Sequence, residues 1–293
     1  MNKMKSVSAI IMCMAMSLTL SCGSGDDETD SVKTETEGDN PSKDEATPEK
    51  KYSDEYLVKE IRVTSDSYGG FQFYIFGYDS IGNLVSYSDL SRDKGPRYAV
   101  KEKGQNYVIV STSRGSVPRY VEEKLELNSM GLFTHTSMNG DIYYYTSEGF
   151  HLKTDWSSTQ VVAYKDYTYV NENLMLIKAT VISDKGNQSY SESFEPSEEL
   201  NDANIDLNLF YAEEQDYRRV LGFGGKRSKH LVASHYEDKT TAQKYWSKTT
   251  VTDVYRDKQN RISQINYTTE VFNSGKSSKS QKIMSISYKY SQK

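Results

Sequence analysis

The sequence predicts an all-β fold over residues 51–293, an antiparallel meander of roughly a dozen strands forming a curled sheet or open barrel. Three observations predict it. From Tyr52 onward, short segments rich in Val, Ile, Thr, Tyr and Phe alternate with clusters of Gly, Asn, Asp and Ser, the composition of strands joined by tight turns. The chain holds five prolines, and few runs of helical period compete with the strand pattern. A short motif also recurs. Tyr78-Asp79-Ser80-Ile81-Gly82-Asn83-Leu84 aligns with Leu127-Asn128-Ser129-Met130-Gly131-Leu132-Phe133 and with Arg256-Asp257-Lys258-Gln259-Asn260-Arg261-Ile262. Weaker copies span Tyr145–Phe150 and Tyr169–Leu174.

Turn chemistry explains the motif. Asp or Asn opens the turn by accepting from its own downstream backbone, and Gly82, Gly131, Gly149, Asn173 or Asn260 takes the left-handed position. The flanking apolar residues then pair across two strands. The copies are too irregularly spaced for a strict solenoid, so a single curled sheet or open barrel is expected. A short helix or irregular crossover is expected around Leu209–Arg219.

The N-terminus carries a different message. Lys3 and Lys5 precede an uncharged, largely apolar stretch from Val7 to Leu20, followed by Ser21 and Cys22. The stretch is too short to span a bilayer and suits a secretory leader. Leu18-Thr19-Leu20-Ser21-Cys22 resembles the loose lipobox of Bacteroidota-type lipoproteins, which implies cleavage before Cys22 and acylation of its thiol. Residues 1–21 are thus expected to be a signal peptide and 22–50 a lipidated tether. Residues 23–50 hold ten Asp or Glu against three Lys, with too little apolar surface to offset ordering entropy, so an extended, disordered linker is expected. Residues 51–293 carry no net formal charge. That balance gives no basic footprint for nucleic acid. Cys13 and Cys22 are the two cysteines; with Cys13 removed in the leader, no internal disulfide or cysteine metal site is expected.

The Tyr-Asp-x-x-Gly-x-Leu hairpins resemble those of a family of Bacteroidota lipoprotein domains of unknown function with a porin-like, YD-repeat-like β-meander. So do Asn204-Ile205-Asp206-Leu207-Asn208, the run Leu221-Gly222-Phe223-Gly224-Gly225-Lys226-Arg227-Ser228-Lys229-His230-Leu231, and the closing Ile283–Tyr290 segment. The resemblance covers most of residues 54–291. It implies an open porin-like barrel and a lipid-anchored place on the outer membrane facing the cell surface. It implies no activity.

Candidate sites are few. Asp202, Asn204, Asp206 and Glu213 stand at the first, third, fifth and twelfth positions of a calcium loop. Leu207 occupies the sixth position, where the sharp turn needs glycine, and a strand with Ala203, Ile205, Leu207 and Leu209 facing the core accounts for the same letters more simply. The Gly222–Ser228 run lacks the spacing of a phosphate loop, since Arg227 rather than a hydroxyl follows Lys226; a basic connecting loop is the better account, with Lys226 and Arg227 as weak anion ligands. Four histidines show no zinc-protease spacing, and no nucleophile elbow is present. No catalytic residue and no cofactor are therefore expected. The remaining signal is aromatic. Tyr143, Tyr144, Tyr145 and Trp156 are candidate ligand contacts, because exposed flat rings stack on sugars, although alternating Tyr also serves ordinary sheet packing. The expected function is a non-catalytic, surface-displayed module binding a glycan or another extracellular ligand. The alternative is an apolar-ligand carrier or structural envelope component with an open barrel, and an enzyme ranks third.

Overall fold

The computed structural model describes residues 56–67, 71–91, 95–114, 119–136, 140–158, 161–184, 186–213, 215–239 and 244–290. The expected leader, the expected lipidation site Cys22 and the expected acidic tether to residue 50 lie outside the described residues. The strands are β1 Tyr56–Ser65, β2 Gln72–Tyr78, β3 Leu84–Asp89, β4 Arg97–Lys103, β5 Tyr107–Arg114, β6 Arg119–Leu127, β7 Phe133–Thr136 and β8 Ile142–Tyr145. They continue as β9 His151–Asp155, β10 Val162–Val170, β11 Asn173–Ser183, β12 Gly186–Leu200, β13 His230–Asp238, β14 Tyr245–Arg256, β15 Ile262–Asn273 and β16 Lys276–Tyr290. Each pairs antiparallel with the next, and β1 pairs with β16, so the meander closes into a barrel. The expected all-β meander is the observed fold. It has sixteen strands rather than roughly a dozen, because β7 and β8, four residues each, are too short to give a period of their own.

The recurrent motif builds its turns as its chemistry requires. Asp79 Oδ1 accepts from the backbone N–H of Ile81 and Asn83 at 3.0 and 2.8 Å. Asn128 and Asp257 repeat the pattern toward residues 130 and 132 and toward 259 and 261. Gly82, Gly131 and Asn260 hold the left-handed position with φ of 90°, 76° and 60°. The β10–β11 turn departs from expectation: Asn171 and Glu172 take positive φ, while Asn173 begins β11, buried, with its amide on Asn171 O and on the His230 backbone N–H.

The wall is apolar inside and carries charged residues among scattered apolar ones such as Val121, Leu152, Ile182 and Ile283 outside. In β1, Ile61 and Val63 are buried while the alternating Arg62 and Thr64 are exposed. Glu122, Lys124 and Glu126 alternate in the same way with inward Leu125 and Leu127 on β6, and Asp166, Lys178, Glu195 and Lys248 are exposed within β10, β11, β12 and β14. A bilayer-spanning barrel has the opposite arrangement, an outward apolar band about 25 Å tall in which each Lys or Arg at the midplane costs ~2–4 kcal/mol. Charged side chains at mid-strand positions distinguish this outer surface from such a band.

The apolar core therefore lies in the lumen, and the wall alone does not fill it. Residues 201–213 and 215–229, between β12 and β13, fold inward as a plug containing a 3-10 turn at Leu207–Phe210 and a four-residue helix, α1, at Tyr217–Val220. Leu207, Leu209, Phe210, Val220, Leu221 and Phe223 are buried against wall residues that include Ile61, Tyr74, Phe76, Leu125, Ile265 and Met284. The Phe210 ring meets those of Tyr74, Phe76 and Tyr87 at 5.1, 5.7 and 6.4 Å. The crossover expected near 209–219 is this plug. The strand expected over residues 202–208 is absent: Ala203, Ile205, Leu207 and Leu209 are buried as the alternation implied, but in irregular chain.

Short chain contacts fix the plug to the wall. Phe133 N–H donates to Phe223 O at 2.9 Å, and Lys226 N–H to Gly149 O at 2.8 Å. The second contact needs glycine at position 225, where φ is +101° and a Cβ would sit 3.0 Å from Gly149 O. A Cβ at Gly224 would lie 2.8 Å from the Arg219 Cα. The Gly-x-Gly-Gly run is thus a close-packing device. Replacing Phe210 by Ala is expected to destabilise the barrel by about 3–5 kcal/mol in urea unfolding followed by circular dichroism. Ile81→Ala, at a hairpin tip that is 71% exposed, should stay within about 0.5 kcal/mol of wild type.

Candidate functional site

The plug packs chiefly on strands β1–β8, β15 and β16. Along β8–β14 it leaves two chambers, which share the Lys165 side chain. The first has a volume of about 270 Å³ and is walled by Phe133, Tyr143, His151, Thr154, Trp156, Tyr167 and Ile177, with Asp216, Arg218 and Arg219 supplied by the plug. The second, about 430 Å³, is walled by Tyr190, Glu192, His235, Glu237, Lys239, Ser247 and Thr249, with Tyr211, Ala212 and Glu213 from the plug.

One carboxylate organises the first chamber. Asp216 caps α1 by accepting from Arg218 N–H at 2.9 Å, and the same carboxylate takes Arg218 Nε and Nη2 at 2.8 Å each. The clamped guanidinium lies over the Phe133 and Tyr143 rings, 5.0 and 5.1 Å from their centroids. Burial opposes the Arg218 charge, but the Asp216 hydrogen bond and charge outweigh it and raise its pKa further. Burial likewise pushes the Tyr143 phenol up, against the opposing pull of Arg218.

Arg219 points the other way, toward Glu213 at 2.5 Å and Asp206 at 3.8 Å. Burial pushes the Glu213 carboxyl up while Arg219 pulls it back. In the second chamber, Glu192 faces His235 at 3.3 Å. Burial would raise the Glu192 carboxyl, yet the nearby His235 ring and the Lys165 charge leave it below its ordinary value.

His151 stacks on Tyr167 at 4.1 Å and lies 2.9 Å from Thr154 Oγ1. Burial, then the Arg219 charge, lower its pKa to about 3. It is neutral throughout the physiological range.

The aromatic candidates divide across the wall. Tyr143 and Trp156 line the first chamber. Tyr145 also faces inward, its hydroxyl donating to Phe133 O at 2.8 Å. Tyr144 is on the outer face, 43% exposed, opposite Lys153. Another outer aromatic row, unmarked by any motif, is formed by Tyr236, Trp246 and Phe272, with neighbouring centroids 6.1 Å apart. Lys226 and Arg227 serve the plug. The Lys226 ammonium sits 5.3 Å over Phe150, and Arg227 Nη1 donates to the carbonyls of Ala203 and Ile205.

The calcium-loop candidates are not gathered around one point. Asp202 pairs with Arg256 at 2.9 Å, and Asn204 accepts from Val58 N–H at 2.8 Å. Asp206 accepts from Asn201 Nδ2 and caps the 3-10 turn, and Glu213 meets Arg219. Among the described residues no cluster of three or more acidic, His or Cys side chains is arranged to hold a metal.

Arg218, Arg219, Asp216 and Lys165 carry no motif and were not sequence candidates. The one local signal was Asp216, a helix-capping residue ahead of Tyr217-Arg218-Arg219.

No protein-family model matches the chain, and no curated protein matches it. Among solved structures, a porin-like protein from Bacteroides uniformis is similar, with a TM-score of 0.53 at 12% identity, covering 79% of this chain and 96% of the other. At that identity the likeness is one of fold, and it agrees with the porin-like barrel that the hairpin resemblance implied.

His151 makes stability pH-dependent. Between its ordinary value of 6.5 and about 3, the unfolded chain binds a proton that the folded protein excludes, so stability falls as pH falls through that window. His151→Gln is expected to flatten the decline measured by urea unfolding between pH 6 and pH 4, by up to about 1.4 kcal/mol per pH unit. An unchanged slope would assign the dependence elsewhere.

Proposed function

We propose that this chain is a non-catalytic binding module, held at the outer membrane and facing the cell surface through a lipid on Cys22, that takes a glycan fragment or similar hydroxyl-rich ligand into the first chamber. One observation carries the binding half. Tyr143, Trp156 and Tyr167 share that chamber with Arg218, Asp216 and Lys165. Sugars present C–H faces that stack on such rings and hydroxyls that pair with such charges. Membership in a lipoprotein family rests on the lipobox-like residues before Cys22 and on the hairpin resemblance. The charged exterior favours a barrel tethered in water over one embedded in lipid.

The other readings fare less well. An apolar-ligand carrier needs an open apolar lumen, whereas here the plug occupies the apolar part and the chambers are lined with charge. Converging ionisable groups also suit an enzyme. In the second chamber, however, each carboxylate already faces a basic group: Glu192 meets His235, Glu213 meets Arg219 and Glu237 meets Lys239.

Isothermal titration of the lipid-free barrel with neutral sugars is expected to find a ligand whose affinity Trp156→Ala weakens by about tenfold or more. A folded protein silent to the panel, or one that cleaves its glycosidic bonds, would overturn the reading. For the anchor, the full chain made in a lipoprotein-processing bacterium should enter the detergent phase in Triton X-114 partitioning. Cys22→Ala should move it to the aqueous phase; retention in detergent would locate the membrane affinity in the barrel itself.

A further inference from the structure

We propose that the second chamber is a binding subsite for neutral hydroxyl groups, so that the ligand extends past Lys165 from one chamber into the other. This deepens the binding-module reading and rests on it. Each carboxylate lining the chamber has a basic neighbour. Glu192, Glu213 and Glu237 face His235, Arg219 and Lys239.

Its hydrogen bonding is not complete. Among the described residues, His235 Nε2 and Glu213 Oε1 are both buried without a hydrogen-bond partner, the latter on a side chain only 1% exposed whose Oε2 receives Arg219. A buried acceptor left in that state is costly, so it selects for a donor. The remaining wall provides the hydroxyls of Tyr190, Ser247 and Thr249. The Tyr190 ring has the Lys239 and Lys165 ammonium groups over it at 5.0 and 5.9 Å.

These features define the occupant. An ammonium group would add charge where each carboxylate already has a basic partner. An apolar group would leave Glu213 Oε1 unpaired. A hydroxyl donates without adding charge and accepts in turn from its neighbours. The first chamber supplies aromatic faces and the second supplies polar edges; their common wall at Lys165 lets one sugar unit stack while the next is held by its hydroxyls.

The test is calorimetric titration of the folded barrel with glucose, galactose, maltose, cellobiose, lactose and a disaccharide carrying one amino sugar. At least one disaccharide should bind roughly tenfold more tightly than its own monosaccharide, the gain of a few neutral hydrogen bonds. Thr249→Phe, which places a ring in the second chamber, should erase that gain and leave monosaccharide affinity intact. Thr249→Val, which removes one hydroxyl at nearly constant volume, should lose part of it in a protein of native melting temperature. Equal affinity for both sizes of sugar, or a gain that survives both variants, overturns the subsite while the binding-module reading stands. Tighter binding of a disaccharide carrying one amino sugar than of its neutral counterpart overturns the preference for neutral donors. If no sugar of either size binds, the binding-module reading fails and the subsite with it. A crystal structure of the sugar-bound protein showing only water at Glu213 would also exclude the subsite.

Discussion

Closure at sixteen strands is the constraint from which the rest of this structure follows. A closed sheet has no exposed edge, but at this strand number the lumen is wider than wall side chains can fill. Membrane barrels leave such a lumen wet and place their apolar surface against lipid. Here Lys, Glu and Asp project outward from the middle of the strands, so the apolar surface has only the lumen in which to be buried. Ile61, Tyr74, Leu125 and Met284 would face water without an internal partner, and the plug is that partner. At roughly 1.5–3 kcal/mol for each large buried side chain, wall and plug stabilise one another, and neither has a core alone.

A plug of irregular chain brings a second demand, because its backbone N–H and C=O groups enter the lumen without a ladder to satisfy them. Asp206 and Arg227 supply some of these bonds from within the plug, while the alternate asparagines bind it to the wall. Asn204 receives Val58 N–H and donates to the Tyr78 hydroxyl. Asn208 receives Val232 N–H and donates to His230 O, and Arg227 ties together the carbonyls of Ala203 and Ile205. The alternation from Asp202 to Asn208, which looked like either a calcium loop or a strand, is an internal brace. Its apolar letters fill the lumen, and Asn204 and Asn208 among its polar letters tie it to the wall at β1, β2 and β13.

The parts of the fold that were legible are those set by local chemistry. Asp79 with Gly82, Asn128 with Gly131, and Asp257 with Asn260 each specify a turn within four residues, and such turns on a period-two background imply an antiparallel meander. Strand number and closure depend on how distant ends meet, as Tyr56 meets Tyr290, and no local pattern records that. The consecutive tyrosines show the same limit. Period two divides Tyr143 from Tyr144, but it does not tell which of them enters the lumen. Asp216 was readable as a cap, whereas the aromatic rings over which it holds Arg218 come from β7 and β8, about eighty residues away in the chain. Sites assembled across a barrel leave little trace in any one segment.

The chambers follow from an asymmetry in the plug itself. One side of it is apolar, with Leu207, Leu209, Phe210 and Leu221 packed into the core, while Asp206, Glu213, Asp216, Arg218 and Arg219 reach toward β8–β14. Each of these charges is fixed before any ligand arrives: Asp216 both caps α1 and clamps Arg218, and Arg219 joins Glu213 to Asp206. Side chains held by such contacts lose little further rotamer freedom when a ligand binds, which is how a small site gains affinity from few contacts. The interactions that close the core therefore also set the positions of the groups a ligand would meet, and the plug, rather than the exposed hairpins, is where fold and binding are physically joined.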